Sequence, residues 1–315
     1  MKTWTLMMRL EIVKDTGTTR SVAAEKAGIP LIYSQRFSHV VSEDDKSIIF
    51  AFADGSQQMA DILIGADGIH SSVRHYLWPD VQPTWSNMVA ISCVAPATAV
   101  QVPFDSYRTT MSVSIHGPAG AVHIAPKDHD GSELFVAINW PTHERTREGW
   151  DDRDIMISKD LSNAIVQSAI NAAPLETFFI WPFYTVPKLD RWCSEQGKVI
   201  ILGDAAHAIP PTGGQGLNQG LEDVLSLSLI LKAIRDKTLD LKSNLSWWQY
   251  MRQRRVNRVI GLAGEISARR RPGWTGEKSE KIDASWLFVV DNFQIVGDWI
   301  ERQEDIIGKR ASNQR

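Results

Sequence analysis

The sequence predicts an α/β fold into which a mostly antiparallel β-sheet domain is inserted, on three observations. GKVIILGDAAHA (197–208) reads as a short apolar strand that ends in glycine and small residues, then passes through a glycine-rich loop to the long helical run NQGLEDVLSLSLILKAIRD. Earlier, ILIGADGIHSSVR (62–74) follows the same plan of strand, glycine turn and short helix. Between them, residues 81–141 turn to β-branched and aromatic segments, NMVAISCV, TTMSVSIHG, AVHIAP and ELFVAINW, separated by Pro and Gly turns, which is the pattern of an antiparallel sheet.

The remaining elements follow in chain order. The opening thirty residues show no strong period, and IPLIYS (29–34) reads as a strand. SIIFAF and MADILIGA flank the turn pair Asp54–Gly55 and are expected to be antiparallel neighbours. The second run leaves its strand through Gly65 and Gly68, placing Ser71, Ser72 and Arg74 where a short helix begins. DDRDIMISKDLSNAIVQSAINAA (151–173) has apolar residues three and four apart and stops before Pro174, so it reads as one or two helices. Trp181, Phe183 and Tyr184, just ahead of the second glycine motif, are expected in the core rather than against a ligand. The helix after that motif is apolar enough to be buried on most sides, and SWWQYMRQRRVNRVIGLAGEISARR forms another. SWLFVVDNFQIVGDW, in the tail, has no clear period. The chain divides as 1–80, 81–180 (the sheet), 181–260 and a helical or irregular tail, 261–315.

Composition narrows the classes. With 43% hydrophobic and 23% charged residues the chain matches an ordinary globular protein, and a net charge of −3 gives no reason to expect a nucleic-acid partner. The basic runs RQRRVNRV and ARRRPG read as solvated helix faces. Cys93 and Cys193 lack CxxC spacing and make no disulfide framework, which fits a reducing, cytoplasmic setting. The first residues, MKTWTLMMRLEIVKD, are too charged for a secretory leader, and no window holds the roughly 18 apolar residues a bilayer span needs. The histidines show no HxxxH or HExxH spacing, so no metal site is expected.

The stretch GDAAHAIPPTGGQGLNQGLED (203–223) carries most of the chemistry. Open α/β sheets bind ligands at the carboxyl ends of strands. Gly203, Ala205 and Ala206 let backbone approach a ligand, and Asp204 offers a carboxylate suited to sugar-alcohol hydroxyls. Gly213, Gly214 and Gly216 leave amides bare, and a helix starting near Leu217 or Asn218 turns its positive end back on the loop, where it stabilises negative charge. GQGLNQG is one residue too long for a dinucleotide fingerprint and is weak on its own. His207 and His70 read as packing and hydrogen-bonding residues rather than catalytic bases.

Together, GADGIHSSVR and GDAAHAIPPTGGQGLNQGLED, in this order and with a β-rich segment between them, resemble the FAD-dependent monooxygenases of the aromatic-hydroxylase (para-hydroxybenzoate hydroxylase-like) class over roughly residues 28–260. The resemblance implies an FAD-binding Rossmann-like domain of the glutathione-reductase type with residues 81–180 as an inserted substrate domain. It further implies FAD as cofactor, NADH or NADPH as reductant, and transfer of one atom of molecular oxygen, through a flavin hydroperoxide, to a small aromatic or polyketide- or terpenoid-like substrate, as in secondary metabolism. By the same resemblance Asp67, Gly68 and Arg74 lie near the pyrophosphates, Gly203 and Asp204 near the ribityl or pyrophosphate region, and Pro211, Gly213, Gly214, Gln215, Gly216, Leu217 and Asn218 along the isoalloxazine. Flavin halogenases add a WxWxIP segment that this chain lacks, whereas reductases of the geranylgeranyl type share its signals.

The family also begins with a strand, a GxGxxG turn and a helix for the ADP half of FAD. No GxGxxG occurs here, only 66 residues precede Asp67, and the family's early arginine has no secure match in Arg9 or Arg20. The FAD-binding domain is therefore expected to be incomplete. Three readings follow: a fragment of a working enzyme, which is favoured; a short, redox-silent flavin-fold protein with a binding or non-redox cyclase role; or a domain completed by a second chain.

Overall fold

The computed structural model describes residues 19–102, 112–117, 120–146, 148–150, 164–237, 239–271 and 283–313. Helix α1 (Thr19–Lys26) leads into residues 29–36, which form no strand where IPLIYS was expected to form one. Pro30 has no amide for a ladder, and Ser34 sits at φ 60, so the run stays a loop despite its apolar residues. Strands β1 (Phe37–Glu43), β2 (Ile48–Phe52) and β3 (Gln57–Ala60) then make an antiparallel sheet, with Ile48 opposite Ala60 and Ala51 opposite Gln57. The Asp54–Gly55 turn closes β2 onto β3 as expected, and Asp54 Oδ1 accepts from the Ser56 amide at 2.9 Å. MADILIGA is not one strand, however. It breaks after Ala60, and Leu63–Gly65 forms a separate strand, β4, whose partner is remote in sequence.

That partner is β10 (Val199–Ile201), parallel to β4 with Val199 beside Leu63 and Ile201 beside Gly65. Val199, Ile200 and Ile201 are fully buried, as befits strands covered on both faces. The parallel register delivers the carboxyl ends of both glycine motifs to the same edge. Helix α2 (Ser72–Leu77) packs back on β4, and Gly65 permits the approach: a Cβ there would lie 2.6 Å from Val73 Cβ.

A second core lies in a five-stranded antiparallel sheet ordered β6 (Val113–Gly117), β7 (Gly120–Pro126), β8 (Glu133–Pro141), β5 (Thr84–Pro96), β9 (Phe179–Thr185). Ile91 on β5 faces Ile138 on one side and Ile180 on the other. Side chains alternate across this sheet. Val89, Ile91, Val136, Ile138 and Ile180 point to one face, where α3 (Ala164–Ala172) covers them with Ile165, Val166 and Ala169. Their neighbours in sequence point to the other face, toward the second glycine motif. The first part of the expected helical run 151–173, up to residue 163, lies outside the described residues, as does Arg9.

After β10 come the short helix α4 (Asp204–His207), a 3-10 turn at Pro211–Gly213, and helices α5 (Gly216–Lys237), α6 (Leu241–Arg269) and α7 (Asn292–Asn313). Helix α5 is less buried than its composition suggests. Gln219, Asp223, Ser226, Leu227, Ile230 and Ala233 face inward, while Leu221 and Val224 are half exposed. Asp240 caps α6 by accepting from the Ser243 amide at 2.8 Å, and the helix runs unbroken past residue 260. The aperiodic tail resolves into a 3-10 turn, Ser285–Leu287, followed by α7. Trp299 stacks on Trp247 with ring centroids 4.6 Å apart, and its Nε1 donates to Asn244 Oδ1 at 2.9 Å. The helical period was masked because the apolar run WLFVV precedes the helix, with Phe288 and Val289 exposed.

Gly65→Ala should lower stability by about 1–3 kcal/mol, since β4 and α2 must part to admit a methyl group. A lower denaturant midpoint at unchanged slope would show it; an unchanged midpoint would mean that α2 yields freely.

Candidate functional site

The edge formed by β4 and β10 brings the two glycine motifs together. Asp67, just past β4, spends its carboxylate on its own helix: Oδ1 accepts from Ser71 Oγ at 2.5 Å, and Oδ2 accepts from the Ser72 and Val73 amides at 2.7 and 3.2 Å. Arg74 is buried. One Nη donates to the Ile69 carbonyl at 2.6 Å and the other to the Ala205 carbonyl at 3.0 Å, so this side chain ties the first motif to the second. Burial lowers its pKa, and the charge of Asp67 opposes that shift. Both residues therefore shape the site by holding backbone in place. Gly68, between them, leaves open space on the side where a Cβ would project.

Beyond β10 the chain turns at Gly203, with φ 57 and ψ −141, a conformation a side chain would strain. Gly203 also lies against Gly220 of α5, where a Cβ on either residue would stand 3.8 Å from the other's Cα. Its amide donates to Asp223 Oδ2 at 2.9 Å, and His207 Nε2 lies 2.6 Å from the same oxygen. His207 is buried against the Trp192 ring, so its expected packing and hydrogen-bonding role is what the geometry shows. His70, by contrast, is exposed, its ring edge-on to Tyr184. Asp204 reaches solvent and makes no hydrogen bond among the described residues. The protein around it nonetheless removes enough water to raise its carboxyl above the ordinary 3.8, against the pull of His207.

The sequence reading of a solvated basic face fails at the core of α6. Arg252 is fully buried, donating through Nε to Asp223 Oδ1 at 2.7 Å, through Nη1 to Glu222 Oε2 at 2.6 Å, and through Nη2 to the Gln219 carbonyl and Oε1. Arg255, one turn on, grips both Glu222 oxygens at 2.6 and 2.7 Å. The physical reason is charge pairing: Glu222 and Asp223 end the glycine motif, and two arginines three apart on the next helix present one face to them. Burial tends to raise Asp223, but His207 and Arg252 outweigh it and hold the carboxyl below its usual value. Glu222 is likewise lowered, by Arg255 and Arg252 against its burial. The adjacent acidic pair, followed by arginines at helical spacing, was the available signal for this cluster.

The loop after α4 is anchored to the end of α6. Thr212 Oγ1 donates to the Ala263 carbonyl at 3.2 Å and lies 2.7 Å from Ser267 Oγ, and Arg270 donates to the Thr212 carbonyl at 2.8 Å. Pro211 and Gly214 are exposed, Gly213 and Gly216 half-buried. Gln215 and Asn218 bond weakly to each other at 3.4 Å, and Leu217 projects into solvent. Across from Pro211–Gly214 stands the free face of the five-stranded sheet, and the two enclose a cavity of about 710 Å³. Trp181 is half exposed and lines this cavity with Phe179 and buried Phe183, so Trp181 does not belong to the core as expected; Tyr184 packs on Trp85 instead.

The chain belongs to the FAD binding domain family, whose model matches residues 15–240. It is 28% identical to 6-hydroxynicotinate 3-monooxygenase of Bordetella bronchiseptica over 67% of this chain and 54% of that protein. It is 25% identical to 6-methylsalicylate 1-monooxygenase of Aspergillus terreus over 83% of this chain and 61% of that protein. The chain thus spans about half to three fifths of the length of these curated relatives. Its fold is shared with a salicylate hydroxylase solved as a substrate complex, at a TM-score of 0.71 and 19% identity over 88% of this chain and 74% of that chain. These residues could hold part of FAD: Gly203 and Gly220 make a surface without side chains, Asp204 keeps its acceptors unspent among the described residues, and the helix α5 begins at the exposed loop.

Asp223→Ala should cost about 3–5 kcal/mol, because it leaves Arg252 buried without its partner. Thermal or denaturant unfolding measures it, and a loss under 1 kcal/mol would deny the carboxylate this role. The depressed carboxyls also set an acid limit. Their stabilisation is complete above the ordinary values of 4.5 for Glu222 and 3.8 for Asp223, and is lost as pH falls through the lower folded-state values. Glu222→Gln should therefore flatten the acid limb of the stability profile; an unaltered limb would place the titration elsewhere.

Proposed function

We propose that the chain carries the flavin-ring and substrate sites of an FAD- and NAD(P)H-dependent monooxygenase that adds one atom of molecular oxygen to a small aromatic molecule. The observation that carries this reading is the single cavity that has the glycine loop of the second motif on one side and an aromatic sheet face on the other. The names of the relatives, monooxygenases of 6-hydroxynicotinate and of 6-methylsalicylate, support an aromatic substrate. Two free cysteines support a reducing, cytoplasmic setting, and no helix among the described residues is long and apolar enough to cross a membrane.

Bound FAD supplies the redox chemistry, taking electrons from NADH or NADPH and activating oxygen. The protein's part is to bind, orient and keep water out. Asp204 would accept hydrogen bonds from ribityl hydroxyls. Pro211–Asn218 would hold the ring system, and the amides at the start of α5 would favour negative charge there. Phe179, Trp181 and Phe183 would give the substrate an apolar wall and limit water around the reacting atoms.

Adding FAD to the purified chain should produce a stoichiometric visible band, and Asp204→Ala should weaken that binding about tenfold, the worth of hydrogen bonds to a charged group. NAD(P)H oxidation by the loaded protein, with an aromatic product heavier by one oxygen, completes the test. A folded, colourless protein that takes up no FAD would sink the reading for this chain and favour a binding or non-redox cyclase role.

A further inference from the structure

A second cavity, of about 490 Å³, lies between the segment 188–197, which leads from β9 into β10, and one face of α6. It shares no lining residue with the cavity beside the glycine loop, and its volume is that of a small-molecule site. Lys242, Ser246, Gln249, Gln253 and Asn257 line it at helical spacings of three and four. The basic run of α6 therefore divides: Arg252 and Arg255 turn to the acidic pair Glu222 and Asp223, whereas Arg254 turns to this cavity. The lining holds four cations, Lys188, Arg191, Lys242 and Arg254, and two carboxylates, Asp190 and Glu195, a local positive excess in a chain whose net charge is −3. Among the described residues little of that charge is neutralised. Arg191 meets Glu195 at 3.3 Å, and Lys242 donates to the neutral Gln196 Oε1 at 3.1 Å. Arg254 lies over the Tyr250 ring, 5.6 Å from its centre, and Lys188 has neither an ion pair nor a hydrogen bond among the described residues.

The acceptors are just as incompletely used. Gln253 Oε1 is buried and receives no hydrogen bond among the described residues, and Arg191 Nε is a buried donor in the same condition. The Asp190 side chain, at the exposed rim, accepts no hydrogen bond among the described residues either. Buried polar atoms are as a rule paired, so each orphan marks a place for a partner. The two needs together define that partner's chemistry. A bare inorganic anion would answer the cations and leave Gln253 and Asp190 without donors; an uncharged polyol would do the reverse. We propose that this cavity binds a phosphorylated sugar. The phosphate lies among Lys188, Lys242 and Arg254, and the hydroxyls donate to Gln253 Oε1 and the Asp190 carboxylate. Tyr250 gives the sugar ring an apolar flank. The site is separate from the flavin reading and stands whether or not that reading does.

Calorimetric titration of the full chain compares ribose 5-phosphate with ribose and with inorganic phosphate. Ribose 5-phosphate should bind at least about tenfold more tightly than either, since it alone satisfies both sets of groups. The double variant Lys188→Gln, Arg254→Gln should weaken it about tenfold and leave ribose unchanged. Both side chains are exposed and make no ion pair among the described residues, so the denaturant midpoint of this variant should match that of the native chain. Asp190→Ala should weaken ribose and ribose 5-phosphate by the same factor. Ser246→Trp, which places a ring in the cavity from an exposed position on α6, should abolish binding of the phosphate ester. One equivalent of FAD should leave its affinity unchanged, because the two cavities are separate. Inorganic phosphate binding as tightly as the ester would reduce the site to a patch of cations and overturn the proposal. Binding that survives Ser246→Trp, or that FAD displaces, would place the probe elsewhere and overturn it as well.

Discussion

A carboxylate sealed from water, that of Asp223, fixes the geometry on which the candidate site depends. Through its two oxygens it meets the amide of Gly203, the ring of His207 and the guanidinium of Arg252. These groups come from a strand end, a short helix and a long helix, so one side chain sets the spacing of three elements. Charge burial of this kind is justified only when partners are complete. The partners here include a backbone amide at a turn that only glycine adopts comfortably. Arg74 makes the matching link from the first motif, so both halves of the strand edge are held by buried charge rather than by apolar packing alone.

The five-stranded sheet divides its labour differently. Alternate positions along each strand serve separate ends: Val89, Ile91, Val136 and Ile138 build a core with α3, while Ala90, Ser92, Ala137 and Asn139 look toward the glycine loop. Packing against α3 and lining the cavity therefore fall to different side chains. The loop, in turn, is steadied from behind by Thr212, Ser267 and Arg270, so the cavity has one wall set by strand register and another set by the end of a helix.

Much of this was legible in the sequence because the signals were local. Glycines at a strand end, an acidic residue beside small ones, and β-branched runs between turns need no knowledge of distant partners, and the two motifs, the antiparallel sheet and α6 all appear where those signals lie. The readings that failed depended on what lay opposite. Arg252 and Arg255 look like any exposed basic stripe until Glu222 and Asp223 face them. Trp181 looks like core until β9 proves to alternate between a covered and an open face. IPLIYS has the apolar content of a strand but no neighbour to pair with, and α7 became visible only through its stacking on Trp247.

The alternation along the sheet has a consequence for how such a scaffold can change. A residue on the cavity face can be exchanged without opening a void in the opposite core, because that core is built by other positions. The cavity can thus be recut one side chain at a time while the glycine edge, held by its buried charges, stays constant. The side chains that line the cavity and those that hold the fold together belong to different sets, so a change in one need not be a change in the other.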